Sequence, residues 1–282
     1  MFPETLMIQS SPYTLATSSM SGYTRLYKRL RDTVVCKYAR LDSGEIYYHR
    51  RHRCDTTIVV TPATILYRDD HAIIVYPYMG LDAATLARSD FWSLYEHVTL
   101  STMETLISSL YTFHAQSQMA MGDIKPENIV YNTATGAVRY IDLEYATGPH
   151  VVQVPSERSF QLRIVVPNPR TRYYRTVTTP AYESFDKRCS MDYCVFRNDR
   201  YALATTLFCL LTNQEAPGTY MFPRTLSATR DRSEWDRLHA LAYNQLLSHV
   251  QDTVRWNIVN TETVVSFIRV QWMDSRLPPF AA

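Results

Sequence analysis

The residue types best suited to chemistry are concentrated in one segment, Gly122-Asp-Ile-Lys-Pro-Glu-Asn-Ile-Val130. Asp123 and Asn128 share a predicted loop, so one side chain can face an acceptor hydroxyl while the other faces a metal ion. Asp142 ends a separate apolar strand and can bring a second oxygen ligand, and Lys125 can place a cation beside a transferred phosphoryl group. Phosphoryl transfer needs a base near the acceptor hydroxyl and oxygen ligands for Mg²⁺, so this spacing favours that chemistry.

The same segment resembles the catalytic loop of the eukaryotic protein kinase family. In that family H-R-D-L-x-x-x-N is followed by D-F-G, and here Asp123-Ile-Lys-Pro-Glu-Asn128 is followed by Asp142-Leu-Glu144. A lysine at position 125 is similar to the serine/threonine subgroup rather than the tyrosine subgroup. The altered flanks around an intact set of site residues resemble the divergent protein kinases of large DNA viruses.

The resemblance implies a role for each polar side chain of this segment. Asp123 would orient the Ser/Thr hydroxyl of a protein substrate and accept its proton, with Lys125 beside the transferred group. Asn128 and Asp142 would hold Mg²⁺ (or Mn²⁺), and ATP would be the phosphoryl donor. The rate gain would come from positioning and electrostatics, without a covalent intermediate.

Upstream residues match the family in the expected order along the chain. Lys37, in Val34-Val-Cys-Lys37, resembles the strand lysine that holds the α- and β-phosphates of ATP. Glu45 is the expected ion-pair partner of this lysine, across an unusually short connection. Met79, in Tyr76-Pro-Tyr-Met79, resembles the hinge whose backbone groups bond the adenine.

Downstream residues also match. The run Thr178-Thr-Pro-Ala-Tyr-Glu-Ser-Phe-Asp186 resembles G-T-P-A-Y-L-A-P-E, the end of the family's activation segment. The resemblance implies that Thr179 lies beside Asp123 and Lys125, and that it belongs to the catalytic site. It also implies that Asp199 begins a buried helix and accepts backbone bonds from the catalytic loop. Arg255 is the candidate partner of Asp186.

Several positions depart from the family pattern. The loop assigned to ATP phosphates, around Gly22 and Leu26, has one glycine where the family has three. Met121 and Gly122 replace His and Arg of H-R-D, and Glu144 replaces the glycine of D-F-G. Non-glycine residues in strained loop positions cost roughly 1–3 kcal/mol each, so we expect weakened ATP affinity rather than lost binding.

These departures leave two alternatives to a protein kinase. A pseudokinase, acting as a nucleotide-binding or protein-binding scaffold, is favoured by the poor glycine loop with Met121 and Glu144. A small-molecule kinase on the same fold is disfavoured by the segment 178–186, which resembles a platform for peptide substrates. Lys37, Asp123, Asn128 and Asp142 are all present, and a scaffold would not need them.

The elements that position these residues change in character along the chain. The N-terminal portion predicts strands and one helix: strands at Thr33–Ala39, Ile58–Tyr67 and His71–Tyr78, a hairpin turn at Arg68-Asp69-Asp70, and a helix over Glu45–Arg53 capped by Ser43. After Gly80 the pattern is helical. Apolar residues recur on one helical face at Met103, Leu106, Ile107, Leu110 and Phe113.

The predicted architecture is therefore α+β, as in a bilobal protein kinase. We expect one domain over residues 1–282, with a small β-rich N-lobe at 1–78 and a mainly helical C-lobe at 79–282. Within the C-lobe, Tyr145–Val177 reads as an irregular loop, inside an activation segment of about 142–186. The pattern is helical again from Asn198 to Phe267.

Composition limits the classes of protein that fit. The chain has 282 residues, 46% hydrophobic and 20% charged, which excludes disorder over its whole length. A net charge of +2 disfavours a nucleic-acid partner. Five scattered cysteines without a Cys-x-x-Cys pair indicate an intracellular protein, in the cytoplasm or nucleus, or in the host cell if viral. No apolar run is long enough to predict a membrane partner, and the oligomeric state is left open.

Overall fold

An antiparallel sheet forms the N-terminal part of the protein. The computed structural model describes residues 3–16, 23–30, 32–52, 57–89, 100–148, 151–155, 160–164, 179–189, 194–218, 232–252 and 258–273. The sheet strands are β1 (Thr5–Ile8), β2 (Ser11–Leu15), β3 (Thr24–Arg29), β4 (Asp32–Arg40), β5 (Thr64–Tyr67) and β6 (His71–Pro77). Their order across the sheet is β1-β2-β3-β4-β6-β5, so β4 lies between β3 and β6.

The predicted strand at 33–39 and the hairpin before His71 are confirmed. β5 and β6 pair antiparallel, and Arg68 donates its backbone N–H to the carbonyl of His71 at 2.8 Å. The prediction of one strand over Ile58–Tyr67 is wrong in its first half, because only Thr64–Tyr67 joins the sheet. The buried residues Ile58 and Val60 instead bond Tyr140 of a later strand through their backbones, at 3.0 and 3.1 Å, and the Ile58 side chain packs in the main hydrophobic core.

Among the described residues of this part, one helix lies between the strands, and it begins within one residue of the predicted start. Helix α1 spans Gly44–Arg51, and the Ser43 hydroxyl caps it by accepting the Ile46 N–H at 3.3 Å. Gly44 begins the helix in close contact with a distant segment. Its N–H donates to the carbonyl of Glu144 at 3.2 Å, and a Cβ at position 44 would lie 2.3 Å from the carbonyl oxygen of Ala146.

Helices dominate the rest of the chain. They are α2 (Ala83–Ser89), α3 (Leu100–Ser117), α4 (Phe185–Cys189), α5 (Val195–Thr212), α6 (Arg232–Asp252) and α7 (Ile258–Met273). A small antiparallel sheet of β7 (Leu81–Asp82), β8 (Ile129–Asn132) and β9 (Ala137–Tyr140) lies among them. The α+β class predicted from the sequence is thereby confirmed. Within the described ranges, no helix is both long and apolar enough to cross a membrane.

The predicted apolar face of α3 is buried, as expected from its spacing. Met103, Leu106, Leu110 and Phe113 are each at most 1% exposed and pack in the main hydrophobic core, with α5, α6 and α7 contributing further apolar residues. Burying a side chain of this size stabilises the fold by about 1.5–3 kcal/mol. This core fixes the elements that carry the polar residues described below.

The segment 145–177, predicted to be irregular, contains a hairpin. Strand β10 (Val151–Pro155) pairs antiparallel with β11 (Phe160–Ile164), so the expectation of a structureless loop is wrong there. Both strands are rich in β-branched and aromatic residues, a preference that the surrounding prolines and arginines obscure. Thr147 forms an isolated bridge with Ala120 just before the hairpin.

Candidate functional site

A cleft of about 530 Å³ lies between the N-terminal sheet and the helical part of the chain. It collects most of the predicted site residues: Lys37, Glu45, Met79, Lys125, Asn128, Asp142 and Thr179. Thr24, from the loop assigned to the ATP phosphates, and Tyr76, from the hinge-like run, also line the cleft. So do apolar residues that the sequence did not mark, among them Val35, Val60, Val130 and Ile141. These apolar residues give the cleft a hydrophobic surface beside its charged residues.

Lys37 connects the sheet to the rest of the site. It lies on β4, and its Nζ is 2.7 Å from Glu45 Oε2 and 2.6 Å from Asp142 Oδ1. Burial disfavours charge on this ammonium, but the two carboxylates outweigh that effect and raise the pKa of Lys37 above its usual range. Lys37 is therefore a cation at neutral pH. The predicted pairing of Lys37 with Glu45 is present, despite the short connection between them.

Asp142 follows strand β9 in a left-handed backbone conformation, with φ of 63°. This conformation is uncommon for a non-glycine residue, although aspartate tolerates it better than most. The next residue, Leu143, is 1% exposed in the core, so Asp142 turns toward the cleft while Leu143 anchors the segment. Burial favours the neutral acid, yet the charge of Lys37 outweighs it and lowers the pKa of Asp142. Asp142 is therefore a carboxylate at neutral pH.

Glu144 adds a third carboxylate to this group. Its Oε2 lies 3.8 Å from Lys37 Nζ, and its backbone N–H donates to Asp142 Oδ1 at 3.3 Å. Burial raises the pKa of Glu144; Lys37 opposes the rise, and the negative charges of Asp142 and Glu45 add to it. The D-F-G motif that this segment resembles has a glycine at position 144. Glu144 instead places additional negative charge beside Lys37.

Asp123 lies at the centre of a second polar group. Its Oδ2 is 2.8 Å from Lys125 Nζ, and its Oδ1 accepts the Thr179 hydroxyl at 2.9 Å and the Thr179 N–H at 3.0 Å. Lys125 also donates to the Thr179 hydroxyl at 2.7 Å. The predicted grouping of Asp123, Lys125 and Thr179 is thus present as three mutually bonded side chains.

Asn128 connects the two groups through side-chain and backbone contacts. It ends a short 3-10 helix, Pro126–Asn128, in which Pro126 occupies a position that needs no N–H donor. Its side-chain amide donates to the Asp123 carbonyl at 2.8 Å, and its own carbonyl accepts the Ile141 N–H at 2.9 Å. The residue before Asp142 is thereby tied to the loop that carries Asp123.

Asp199 stabilises the loop that carries Asp123 through hydrogen bonds to its backbone. Helix α5 begins at Val195, so Asp199 lies in its second turn and does not begin the helix as the sequence predicts. Its carboxylate is fully buried and accepts the N–H of Met121 at 2.6 Å and of Gly122 at 2.9 Å. His114 of α3 contributes a third contact, with its Nε2 2.9 Å from Asp199 Oδ2. The backbone bonds expected of Asp199 are present. Sequence reasoning missed His114, because it lies far from Asp199 in the chain and in no motif.

Three residues that the sequence assigned to a role, Leu26, Gly22 and Arg255, are not found in that role among the described residues. Leu26 lies on β3 opposite Val35, which lines the cleft, but Leu26 itself is not among the lining residues. Gly22 and Arg255 lie outside the described residues. Among those described, Asp186 has Arg197 at 3.4 Å and Arg232 at 3.9 Å as its cationic neighbours.

The donor set fits a metal ion only in part. Among the described residues, no group of three or more His, Cys, Asp or Glu side chains could hold an ion. Asp142 and Asn128 both line the cleft and would supply two oxygen ligands. Mg²⁺ takes oxygen ligands and is commonly bound by one or two carboxylates, with substrate phosphates and water completing its shell. The residues present therefore suit an ion that arrives with a phosphorylated ligand.

Tyr76 and His49 form a further polar pair at the back of the cleft. The Tyr76 hydroxyl donates to Glu45 Oε1 at 2.5 Å and lies 2.9 Å from His49 Nε2. Burial and then the charge of Lys37 lower the pKa of His49 to about 4. The ring is therefore neutral at neutral pH. No motif marks His49, and the hinge-like run 76–79 assigns no role to the Tyr76 hydroxyl. The two residues meet only because the fold brings α1 beside β6.

The shifted pKa of His49 predicts a pH-dependent stability. Between about pH 6.5 and 4 the unfolded chain binds a proton at this residue that the folded chain does not, so the free energy of unfolding falls as the pH falls. We expect the free energy of unfolding of the wild type to fall by about 2–3 kcal/mol over this window, and that of His49→Gln to show no such fall. Urea unfolding of both proteins at several pH values measures it. Parallel profiles would contradict the assignment.

Comparison of the chain with protein-family profiles and with curated proteins found no match.

Proposed function

We propose that this chain is a serine/threonine protein kinase that transfers the γ-phosphoryl group of ATP to protein hydroxyls. One observation carries the proposal. Lys37 and Asp142 are far apart in the chain, yet they meet at 2.6 Å in the same cleft that holds Lys125, Asn128 and Thr179. Phosphoryl transfer needs such an assembly of cations and metal-ligand oxygens with a base beside it, and Asp123 is bonded to Lys125 and Thr179 of this cleft.

A bilobal kinase fold is part of the proposal. The sheet and α1 would form the small lobe, roughly residues 1–78, and the helices from 79 to 282 would form the large lobe. The cleft between these two parts, lined by residues of both, supports this assignment. Residues of about 142–186 would form the activation segment, and Thr179–Tyr182 would border the protein substrate.

The contacts suggest how each side chain acts. Lys37, held as a cation, would pair with ATP phosphates, and Mg²⁺ held by Asn128 and Asp142 would neutralise charge on the phosphoryl oxygens. Asp123 would orient the substrate hydroxyl and take its proton as the oxygen bonds to the γ-phosphorus and the bond to ADP breaks. Lys125 lies beside Asp123, where negative charge develops during transfer.

A pseudokinase is the second candidate, and Glu144 is the observation that favours it. Its carboxylate lies 3.8 Å from Lys37 Nζ and adds negative charge where phosphates would approach. ATP phosphates would have to compete with three carboxylates for one ammonium. The two candidates agree on protein partners and differ in whether phosphoryl transfer occurs.

Binding of Mg-ATP is the first test, and we expect it to raise the melting temperature. A ligand at 100 times its dissociation constant stabilises the native state by about 2.7 kcal/mol, which corresponds to several degrees for a chain of this size. Asp142→Asn should abolish most of the shift, whereas Asp69→Asn, a matched change at an exposed turn, should not. A wild-type protein without any shift at millimolar Mg-ATP would contradict nucleotide binding.

Transfer itself is tested with labelled ATP, Mg²⁺ and basic or acidic protein substrates, followed by phosphoamino-acid analysis. Phosphoserine or phosphothreonine is the result expected. Binding without transfer would favour the pseudokinase, and transfer only to small molecules would overturn the protein-substrate assignment.

A further inference from the structure

Glu45 is held from two sides by different elements of the sheet. It is 1% exposed, its Oε2 pairs with Lys37 of β4 at 2.7 Å, and its Oε1 accepts the Tyr76 hydroxyl of β6 at 2.5 Å. Both carboxylate oxygens are therefore bonded. A buried carboxylate that loses one such partner keeps its desolvation cost and loses its fixed orientation.

The direction of the hydrogen bonds follows from counting protons. A phenol has one proton, and Tyr76 donates it to Glu45, which as a carboxylate can only accept. The contact of 2.9 Å between Tyr76 and His49 must then run the other way, with His49 donating from Nε2. His49 thus orients the Tyr76 hydroxyl toward Glu45.

We propose that Tyr76, oriented by His49, is a positioning residue that fixes the Glu45–Lys37 pair for phosphoryl transfer. This inference rests on the proposed function, and it extends that function to Tyr76 and His49, two side chains to which the motif comparison assigns no role. Tyr76 would act through Glu45 on Lys37, which touches the phosphates, and would make no bond to the reacting atoms. Because Tyr76 lies on β6 and Glu45 on α1, the hydroxyl also fixes this helix against the sheet.

Tyr76→Phe removes the hydroxyl and keeps the ring that lines the cleft. We expect kcat to fall about tenfold while KM for ATP changes less than threefold, because the lysine would remain but would be held less firmly. Tyr47→Phe is the matched control. Tyr47 lies on the same helix, and its hydroxyl accepts a bond at 3.1 Å from Arg51, four residues along. This variant should keep wild-type rates.

The kcat of a double variant distinguishes a positioning role of Tyr76 from a general loss of packing. His49→Leu should lower kcat in the same direction as Tyr76→Phe, and the double variant should be no slower than Tyr76→Phe alone, because His49 acts through the hydroxyl. Equal losses in all variants including Tyr47→Phe, or multiplicative losses in the double variant, would overturn the proposal.

Hydrogen exchange gives a readout that does not need activity. Tyr76→Phe should speed exchange at the backbone amides of the first turns of α1 and leave the amides of α5 unchanged, whereas Tyr47→Phe should do neither. If the wild type transfers no phosphoryl group, the proposed function fails, yet faster exchange in Tyr76→Phe still supports the fixing of Glu45. Unchanged exchange in α1 overturns the positioning role whatever the activity.

Discussion

Asp123→Asn should lower the turnover of phosphoryl transfer by about 10²–10⁴-fold, because the amide cannot accept the proton of the substrate hydroxyl. The substitution preserves the shape of the side chain. The amide oxygen can take the place of Oδ1 and accept both donors of Thr179. The amide nitrogen would then face two donors, Lys125 and the side-chain amide of Asn128. Lys125 can keep its other bond to the Thr179 hydroxyl at 2.7 Å, and the Asn128 amide can keep its bond to the carbonyl of residue 123 at 2.8 Å. We therefore expect a stability loss of only about 1 kcal/mol.

The measurement compares purified wild type and variant in steady-state transfer, with thermal unfolding recorded for both. Binding of Mg-ATP should persist in Asp123→Asn, because Asp123 is not among the residues that line the cleft. Asp69→Asn serves again as the control for a lost carboxylate. If the folded variant retained wild-type turnover, Asp123 would not be the base.

Replacing Gly122 by arginine, the residue of the resembling motif, should destabilise the protein by about 3 kcal/mol or more. Gly122 has φ of 89°, a backbone region costly for any residue with a side chain. A Cβ there would lie 2.4 Å from the carbonyl oxygen of Tyr145, a backbone atom that cannot turn away. The Gly122 N–H also donates to Asp199, so any shift disturbs the loop before Asp123.

Two alanine variants separate the causes of this loss. Gly122→Ala carries the same Cβ without the charge, so most of the destabilisation should remain. Gly136 also has a positive φ, 71°, but a Cβ there would meet only the Tyr131 hydroxyl, at 4.0 Å. Gly136→Ala should therefore cost only about 1 kcal/mol, the backbone part of the effect. Urea unfolding measures all three variants, and equal losses for the two alanine variants would contradict the contact with Tyr145.

The features that could be predicted from the sequence are those with local signals. The Ser43 cap, the turn before His71 and the buried face of α3 depend on residues a few positions apart, whose spacing determines the outcome. The pairing of Lys37 with Glu45 was expected from motif order alone. It forms because the capped helix begins immediately after β4, so that a short connection is sufficient.

The features that the sequence did not reveal depend on contacts between distant segments. His114 reaches Asp199, and Tyr76 reaches Glu45, only because the core brings α3 to α5 and the sheet brings β6 to α1. Ile58 reads as strand because its β-branched neighbours suit a sheet, yet its backbone bonds Tyr140 instead. Neither the periodicity nor the composition of a segment determines which distant segment it will contact.

The close approach of Gly44 to Ala146 has a consequence for the order in which the molecule folds. Neighbouring strands of the N-terminal sheet are joined mostly by short connections, so their pairing requires only small loops to close. The contacts of Gly44 with Glu144 and of Lys37 with Asp142 instead close loops of roughly 100 residues, at a higher entropic cost. The cleft is therefore expected to assemble late, after the sheet and the helical core have each formed, and partly folded chains would contain both halves of the site without joining them.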